Sequence, residues 1–315
     1  MKKCKKSLIV GFVLLVVFIG VYATGTIYKY EIYDAAIKME LDNAGLAAKQ
    51  LKVGDDYIAY LESDRGEGQE TILLVHGFGA TKENWVRFAG HLTADYHVIA
   101  LDLPGHGESS KAMTQTYRIE QQADFLFQFV KSLKLTSFYL AGNSMGGAIS
   151  AVFAVVHPDM VKSLALYDSA GVFEVTSPFL SLLEEGKNPL IVKTVDDFDY
   201  LVSFAMEKPP FIPWPISQVA AEKAISKIAI NQHIFDQILN QSRADFKQIL
   251  AQINVPVLIV WGAEDRVIDV GNADIFVQSI PNATKLIYSG IGHVPMLEIP
   301  EQAAMDFRQF IAGSE

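Results

Sequence analysis

Residues Phe138–Ser150 read "FYLAGNSMGGAIS". A short apolar run ends at a glycine, one serine stands between two larger residues, two glycines follow, and a small-residue helical pattern begins. A serine at the carboxyl end of a buried strand, directly before a helix, occupies the place where open α/β sheets bind ligands. Lifting its hydroxyl clear of the sheet takes a sharp backbone turn that flanking side chains would obstruct. Gly142 and Gly146 remove the obstruction, and Gly142-Asn143-Ser144-Met145-Gly146 fits the G-x-S-x-G nucleophile elbow. The following helix aims its N-terminal N–H groups and positive dipole end at the same point, which favours developing negative charge. A glycine-rich turn with an ordinary N-cap serine has the same spacing, so the decision falls to the rest of the chain.

Outward from the elbow the sequence alternates. "YIAYLES" and "QETILLVHG" are predicted strands divided by the turn-rich "DRGEGQ"; a helix near 84–91, the strand "YHVIALD" and a helix near 117–133 follow. Beyond "SFYLAG" come a helix over 145–157 and the strand "VKSLALYD", then later "VPVLIVWG", a helix near 272–280, "TKLIYSG" and a final helix from Pro300. Strands alternating with helices imply crossover connections and a mainly parallel sheet covered on both faces, an α/β fold. Residues 171–247 break the alternation with aromatic-rich helical sequence, expected to form a cap over the carboxyl ends of the strands. The expected organisation is therefore a membrane segment over 1–29, a helical connector over 30–48, a core split between 49–170 and 248–315, and the cap between its halves. No internal repeat or low-complexity linker interrupts it.

An elbow serine calls for an acid and then a histidine, in that chain order. His76, His91, His97, His106, His157 and His233 all precede the second half of the sheet, and only His293 lies beyond the last candidate acid. It occurs in "SGIGHVPMLE", after a predicted strand, on a glycine-flexed loop able to carry the imidazole back over Ser144. Asp265 in "VLIVWGAEDRVI" follows the preceding strand and is the expected acid, with Asp168, which also ends a strand, as its competitor. Glu264 and Asp269 are close by but less suitably placed, Asp269 as a helix-entry cap. Donors for a tetrahedral oxyanion are expected from the backbone N–H groups of Phe78, in "LLVHGFGA", and Met145. Gly77 and Gly79 keep that loop close to substrate, and His76 is expected to brace it. "DLPGHGES", residues 102–109, lacks the lysine of a phosphate cradle and is read as a turn at the site's edge.

Composition excludes other classes. A formal charge of -10 argues against a polyanion partner, since a nucleic-acid binder needs a cationic face. Setting aside Lys2, Lys3, Lys5 and Lys6 leaves 22 basic against 36 acidic residues, about -14. Cys4 is the single cysteine, so neither an intrachain disulfide nor a cysteine-based metal site is possible, and no HExxH motif occurs. No cofactor and no metal are expected. The amino-terminal "MKKCKKSLIVGFVLLVVFIGVYATG" sets four lysines before an apolar run from Leu8 to Ala23. Roughly 20 apolar residues span the hydrocarbon of a bilayer. The length, with Tyr22, Tyr28 and Tyr30 at interfacial positions, favours an uncleaved anchor with the domain outside the cytoplasm. A cleaved signal ending near Val21-Tyr22-Ala23, and hence a secreted or periplasmic protein, is the alternative.

"HGFG", "DLPGHGES", "GNSMGGAIS", "WGAEDRVI" and "GIGHVPMLEIPE" occur in an order that resembles the serine hydrolases of the α/β-hydrolase superfamily, from about Thr71 to the end of the chain. More narrowly, "GNSMGGAIS", "YDSAG", "NPL", "KPPFIP" and "GHVPM" resemble the monoacylglycerol-lipase-like branch and related bacterial true lipases. The resemblance implies hydrolysis of acylglycerols or similar lipid esters, or of small-molecule esters. Haloalkane dehalogenases and epoxide hydrolases share the scaffold but place aspartate at the elbow, and Ser144 excludes them. Carbon–carbon bond hydrolases of aromatic catabolism also carry an "SMGG" elbow; "GHVPM" lacks the aromatic residue expected after their histidine. A non-catalytic binding protein on this fold is the reading from another class, and the presence of all three expected groups speaks against it. Phe179, Phe204, Phe211 and Trp214 are large apolar residues of the cap, expected mostly to pack it onto the core, with an acyl-chain groove or a bilayer contact as the functional reading. Pro209, Pro210, Pro213 and Pro215 make their segment stiff and non-helical. The oligomeric state is not legible.

Overall fold

The protein is seen here as a computed structural model that describes residue 20, residues 22–239 and residues 246–313. The predicted apolar anchor falls mostly on residues outside these, and among the described residues no helix is long and apolar enough to cross a membrane.

Helix α1 (Lys29–Ala44) leads into the antiparallel hairpin β1 (Leu46–Val53) and β2 (Asp56–Ser63). The connector expected over 30–48 is thus helical only to Ala44. Gly45 takes the left-handed conformation at φ 66°, which ends the helix, and Leu46–Ala48 already pair with Leu61–Ser63. Six mutually parallel strands complete the sheet: β3 (Thr71–Val75), β4 (His97–Leu101), β5 (Phe138–Asn143), β6 (Val161–Tyr167), β7 (Val257–Gly262) and β8 (Ala283–Tyr288). The spatial order is β1-β2-β4-β3-β5-β6-β7-β8, with β4 meeting β2 antiparallel and every later neighbour parallel.

Buried parallel strands read as continuous apolar runs, and "TILLV", "HVIAL" and "VLIVWG" are buried at every position. Alternate side chains enter opposite layers. Leu73, Val75, Leu140, Ile259 and Trp261 join α3 (Ile119–Ser132) and α4 (Met145–Val156) in one core, while Ile72, Leu74, Tyr139, Leu258 and Val260 join α2 (Val86–Gly90) and the carboxyl-terminal helix in the other. Helix α3 buries Ile119, Ala123, Leu126, Phe129 and Val130, the spacing of one helical face, whereas α4 is buried from Met145 through Ala154. Burying each large aliphatic chain contributes about 1.5–3 kcal/mol, so this two-sided packing fixes the central strands most firmly.

Between β6 and β7 helices interrupt the sheet, beginning with α5 (Pro178–Glu184), α6 (Val195–Ala205), α7 (Ile216–Ile225) and α8 (Ile228–Leu239). Their starts are locally encoded. Ser177 Oγ accepts from the Leu180 N–H ahead of Pro178, and Thr194 with Asp197 closes a reciprocal capping box. The proline-rich run before α7 is non-helical, as its sequence requires. Phe179 and Phe204 are buried, but Phe211 is 86% exposed and Trp214 39%, so the apolar residues of the insertion divide between packing and surface. Short helix α9 (Phe246–Leu250) returns the chain to β7, and α10 (Gly271–Ser279), α11 (Pro295–Glu298) and α12 (Pro300–Ala312) finish it.

Candidate active site

Strand β3 leads to β4 on one side, and the chain then crosses to β5 on the other, making a switch point between β3 and β5 at which open α/β sheets form their crevice. The HGFG turn leaves β3 there and Ser144 leaves β5, so topology alone puts the two beside each other. Ser144 is held at φ 54°, ψ -120°, a left-handed conformation costly for a residue with a Cβ. Backbone hydrogen bonds secure it: its N–H donates to Tyr167 O at 2.9 Å, and its carbonyl accepts from Gly147 and Ala170, each at 2.9 Å, and from Ala148 at 3.2 Å.

The elbow glycines are sterically compulsory. A Cβ on Gly142 would stand 2.3 Å from Gly146 O, and one on Gly146 would stand 2.4 Å from the carbonyl oxygens of both Val75 and His76. A Cβ on Gly77 would lie 3.0 Å from Ser144 Cβ, which measures how closely the β3 loop is laid against the serine. Neither the Phe78 nor the Met145 N–H is used in a backbone hydrogen bond among the described residues. His76 braces this loop. Leu103 N–H donates to its Nε2 at 3.0 Å, so its Nδ1 carries the proton and donates to Gly77 O at 2.7 Å. Burial pushes the imidazole down to about 4, and His106, its ring tilted with centroids 5.1 Å apart, down to about 3 for the same reason. Both rings are neutral packing groups at ordinary pH.

The "DLPGHGES" turn is knitted by its aspartate. Asp102 accepts from the Lys82 ammonium at 2.9 Å, from Lys82 N–H at 2.8 Å and from Glu108 N–H at 2.8 Å. Gly107, at φ 50°, lies so close that an added Cβ would overlap the Asp102 carboxylate. The turn is a buried ion-pair brace at the edge of the site.

The fold brings His293 and Asp265 together. Nδ1 donates to Asp265 Oδ2 at 2.7 Å, which leaves Nε2 as the unprotonated nitrogen. Asp265 Oδ1 accepts from the N–H groups of Val267 at 2.7 Å and Ile268 at 3.0 Å, so this carboxylate receives three donors. The histidine loop is tied down from several sides. Asn143 Nδ2 donates to His293 O at 3.0 Å, His293 N–H donates to Ala205 O of α6 at 2.7 Å, and Glu298 accepts from Gly292 N–H at 2.9 Å. Glu264 accepts from Ile291 N–H at 2.9 Å, a loop brace, and Asp269 accepts from Gly271 N–H at the entry to α10. Sequence reasoning passed over Asn143 and Glu298. Asn143 occupies the unconstrained position of the elbow motif, and Glu298 is one acid among many; neither carries a signal without the fold.

Asp168 ends β6, which lies between β5 and β7, and is fully buried. Its Oδ1 accepts from Gly262 N–H at 2.9 Å, but it is Asp265 that takes the His293 bond. Three aromatic rings meet over the β3 loop: Phe78 packs against Phe235 of α8 with centroids 5.6 Å apart, and Phe179 of α5 reaches Phe235 at 6.3 Å. A separate cleft of about 810 Å³ runs between α1, Gly79–Thr81 and Lys223–Lys227 of the insertion. It borders the β3 loop without reaching Ser144, Asp265 or His293.

The family profile of the alpha/beta hydrolase fold matches residues 70–191 and 230–300, and the chain belongs to that family. Its relatives include Lipase 3 of Moraxella sp. (strain TA144), 37% identical over 280 residues that make up 88% of each chain. Monoacylglycerol lipase ABHD6 of Mus musculus is 31% identical over 82% of this chain and 81% of that one. Among solved structures, a bacterial membrane phospholipase A described as a virulence factor superposes with a TM-score of 0.89 at 38% identity, covering 96% of this chain and 98% of the other.

Proposed function

We infer that this chain, a carboxylic ester hydrolase of the lipase and esterase class, works through an acyl-enzyme on Ser144. The observation that carries the reading is the 2.7 Å bond from His293 Nδ1 to Asp265, which leaves Nε2 free to act as a base toward an elbow serine. Ser144 Oγ attacks the ester carbonyl while His293 Nε2 takes its proton. The oxyanion is received by the N–H groups of Phe78 and Met145 at the positive end of α4, and Asp265 steadies the imidazolium. His293 then passes the proton to the departing alcohol. Water repeats the sequence on the acyl-enzyme and releases the acid. No other group has to supply a proton, an electron or a metal.

Support for a lipid ester comes from the lipase and phospholipase relatives and from the aromatic cluster Phe78, Phe179 and Phe235 over the β3 loop, which suits an acyl chain. The 810 Å³ cleft beside α1 carries Asp34, Glu83, Glu108, Lys223 and Lys227, a lining suited to a polar group. We propose that the insertion over 171–247 is the cap that covers the site, and that residues 1–29 anchor the enzyme with its domain outside the cytoplasm. Lysines followed by an apolar run, with exposed Tyr22 at its end and exposed Tyr28 and Tyr30 beyond it, support that placement. The test is hydrolysis of p-nitrophenyl esters from acetate to palmitate, with monoacylglycerol alongside, by wild type and Ser144→Ala. Turnover that favours medium or long chains and vanishes in the variant is the expected result. Absence of turnover on every ester, with cleavage of a vinylogous diketone instead, would give the case to the carbon–carbon bond hydrolases.

A further inference from the structure

Asp168 is a second carboxyl group at the acid end of the site, and the mechanism above leaves it unused. One of its oxygens, one of Asp265 and a nitrogen of His293 lie within 4.8 Å of one another, and all three residues are buried. Two carboxylates this close and this dry cannot both be charged, so one of them keeps a proton. The hydrogen bonds decide which. Asp265 receives three donors, whereas Asp168 receives one, from Gly262 N–H, and its Oδ2 is buried with no hydrogen-bond partner among the described residues. Charge settles where donors are most numerous. Burial first, and then the Asp265 charge, push the Asp168 carboxyl well above the usual carboxylate range.

The backbone points the same way. Asp168 is held at φ 46°, a strained conformation for a residue with a side chain, by its N–H bond to Val260 O at 2.8 Å. Filling a position that would suit glycine with a buried acid costs stability twice, and such costs are met most often at functional sites.

We propose that Asp168 and Asp265 act as one carboxyl pair carrying a single negative charge, in which Asp168 holds the proton and is a positioning residue able to become the acid that orients His293. The inference rests on the Ser144–His293–Asp265 reading. In the resting enzyme the proton on Asp168 limits the pair to one charge. When Asp265 cannot ionise, Asp168 gives up that proton to solvent and offers its carboxylate to His293 Nδ1–H. Other titratable groups facing the pair are Tyr167 and Tyr288, both held neutral by burial, and, farther out, Glu298, Glu264 and Asp306. Removing the Asp265 charge lowers the Asp168 pKa, so a variant relying on Asp168 gains activity as pH rises.

The test compares Asp265→Ala with Asp265→Ala/Asp168→Asn on p-nitrophenyl butyrate from pH 6 to 9, with Ser144→Ala measured beside them. Loss of an orienting acid alone costs about 10⁴-fold in kcat. The single variant is expected to lose only about 10²-fold and to recover with rising pH; the double is expected to fall to the 10⁴ level without that rise. Equal rates and equal pH profiles in the two would overturn the pair. Asp265→Asn, which keeps an acceptor for Val267 and Ile268, repeats the comparison should the alanine variant fold poorly. A readout free of activity is the infrared difference spectrum of wild type minus Asp168→Asn at neutral pH. A protonated-carboxyl carbonyl band is expected, and its absence sinks the proposal. If wild-type turnover persists in Ser144→Ala, the underlying mechanism fails instead, and the two failures are told apart.

Discussion

The serine end of the sheet and the helical insertion above it are held by different means. Around Ser144 the backbone is locked atom against atom: Gly142 and Gly146 face carbonyl oxygens at distances no side chain can occupy, and Asn143 ties the elbow to the histidine loop. The insertion is held by a few aromatic contacts and polar clamps. Phe179 N–H reaches Arg266 O at 3.0 Å, Ser177 Oγ reaches Val267 O at 2.8 Å, and Arg266 pairs with Glu207, while Phe211 stands almost fully in solvent. One region is fixed by backbone sterics; the other rests on side-chain contacts. Chemistry that depends on angstroms calls for support of the first kind.

The sharpest way to break this contrast is Gly146→Ala. No flexible side chain can make room at 2.4 Å from two backbone carbonyls, so the variant is expected to lose more than about 4 kcal/mol of stability or to fail to fold, measured by soluble yield and thermal melting. Ordinary activity in that variant would remove the steric account of the elbow. Next in size is Asn143→Ala, which removes the side-chain donor to His293 O and leaves Tyr167 O with the Ser144 N–H alone. It is expected to lower kcat/KM about 10²-fold by loosening the histidine loop, with KM changed little.

These two residues also mark how far the sequence could be read. Gly146 is visible in the motif because its reason is local, a turn with no space for a Cβ. Asn143 is invisible because its partners, His293 on the loop after β8 and Tyr167 at the end of β6, are brought to it only by the fold. The same division governs the sheet. "TILLV" and "VLIVWG" declare themselves as apolar runs, whereas "LAAKQLKV" shows only its first and last residues buried, and pairing with β2 makes it a strand. The order serine, acid, histidine led to Ser144, Asp265 and His293 with Asp168 as a competing acid, because both acids follow neighbouring strands, and in the fold it is Asp265 that bonds His293.

A smaller effect is expected in the packing of the β3 loop. His106 is buried neutral at about 3, below its ordinary value near 6.5. Between those values the unfolded chain binds a proton that the folded one refuses, so stability is lost as pH falls from about 6.5. Asp168, whose pKa is raised, contributes with the opposite sign. His106→Gln is therefore expected to reduce the slope of unfolding free energy against pH by about 1.4 kcal/mol per pH unit between pH 6 and 4. Denaturant titrations at several pH values check it, and an unchanged slope would mean that the ring is already charged. Smallest of all, Phe211→Ala is expected to move stability by less than about 0.5 kcal/mol, since its side chain is exposed. With residues 1–29 present, the same variant is expected to slow hydrolysis of vesicle lipid and leave short soluble esters alone; equal effects on both would put Phe211 in the acyl site.

The most direct measurement of the central claim is covalent capture. Wild type is incubated with an alkyl phosphonate ester that mimics the tetrahedral adduct, and the peptides are mapped by mass. One adduct, on the peptide carrying Ser144, lost in Ser144→Ala and formed far more slowly in His293→Gln, is the result expected of a serine activated by His293 and Asp265. An adduct elsewhere, or none while ester turnover continues, would contradict it.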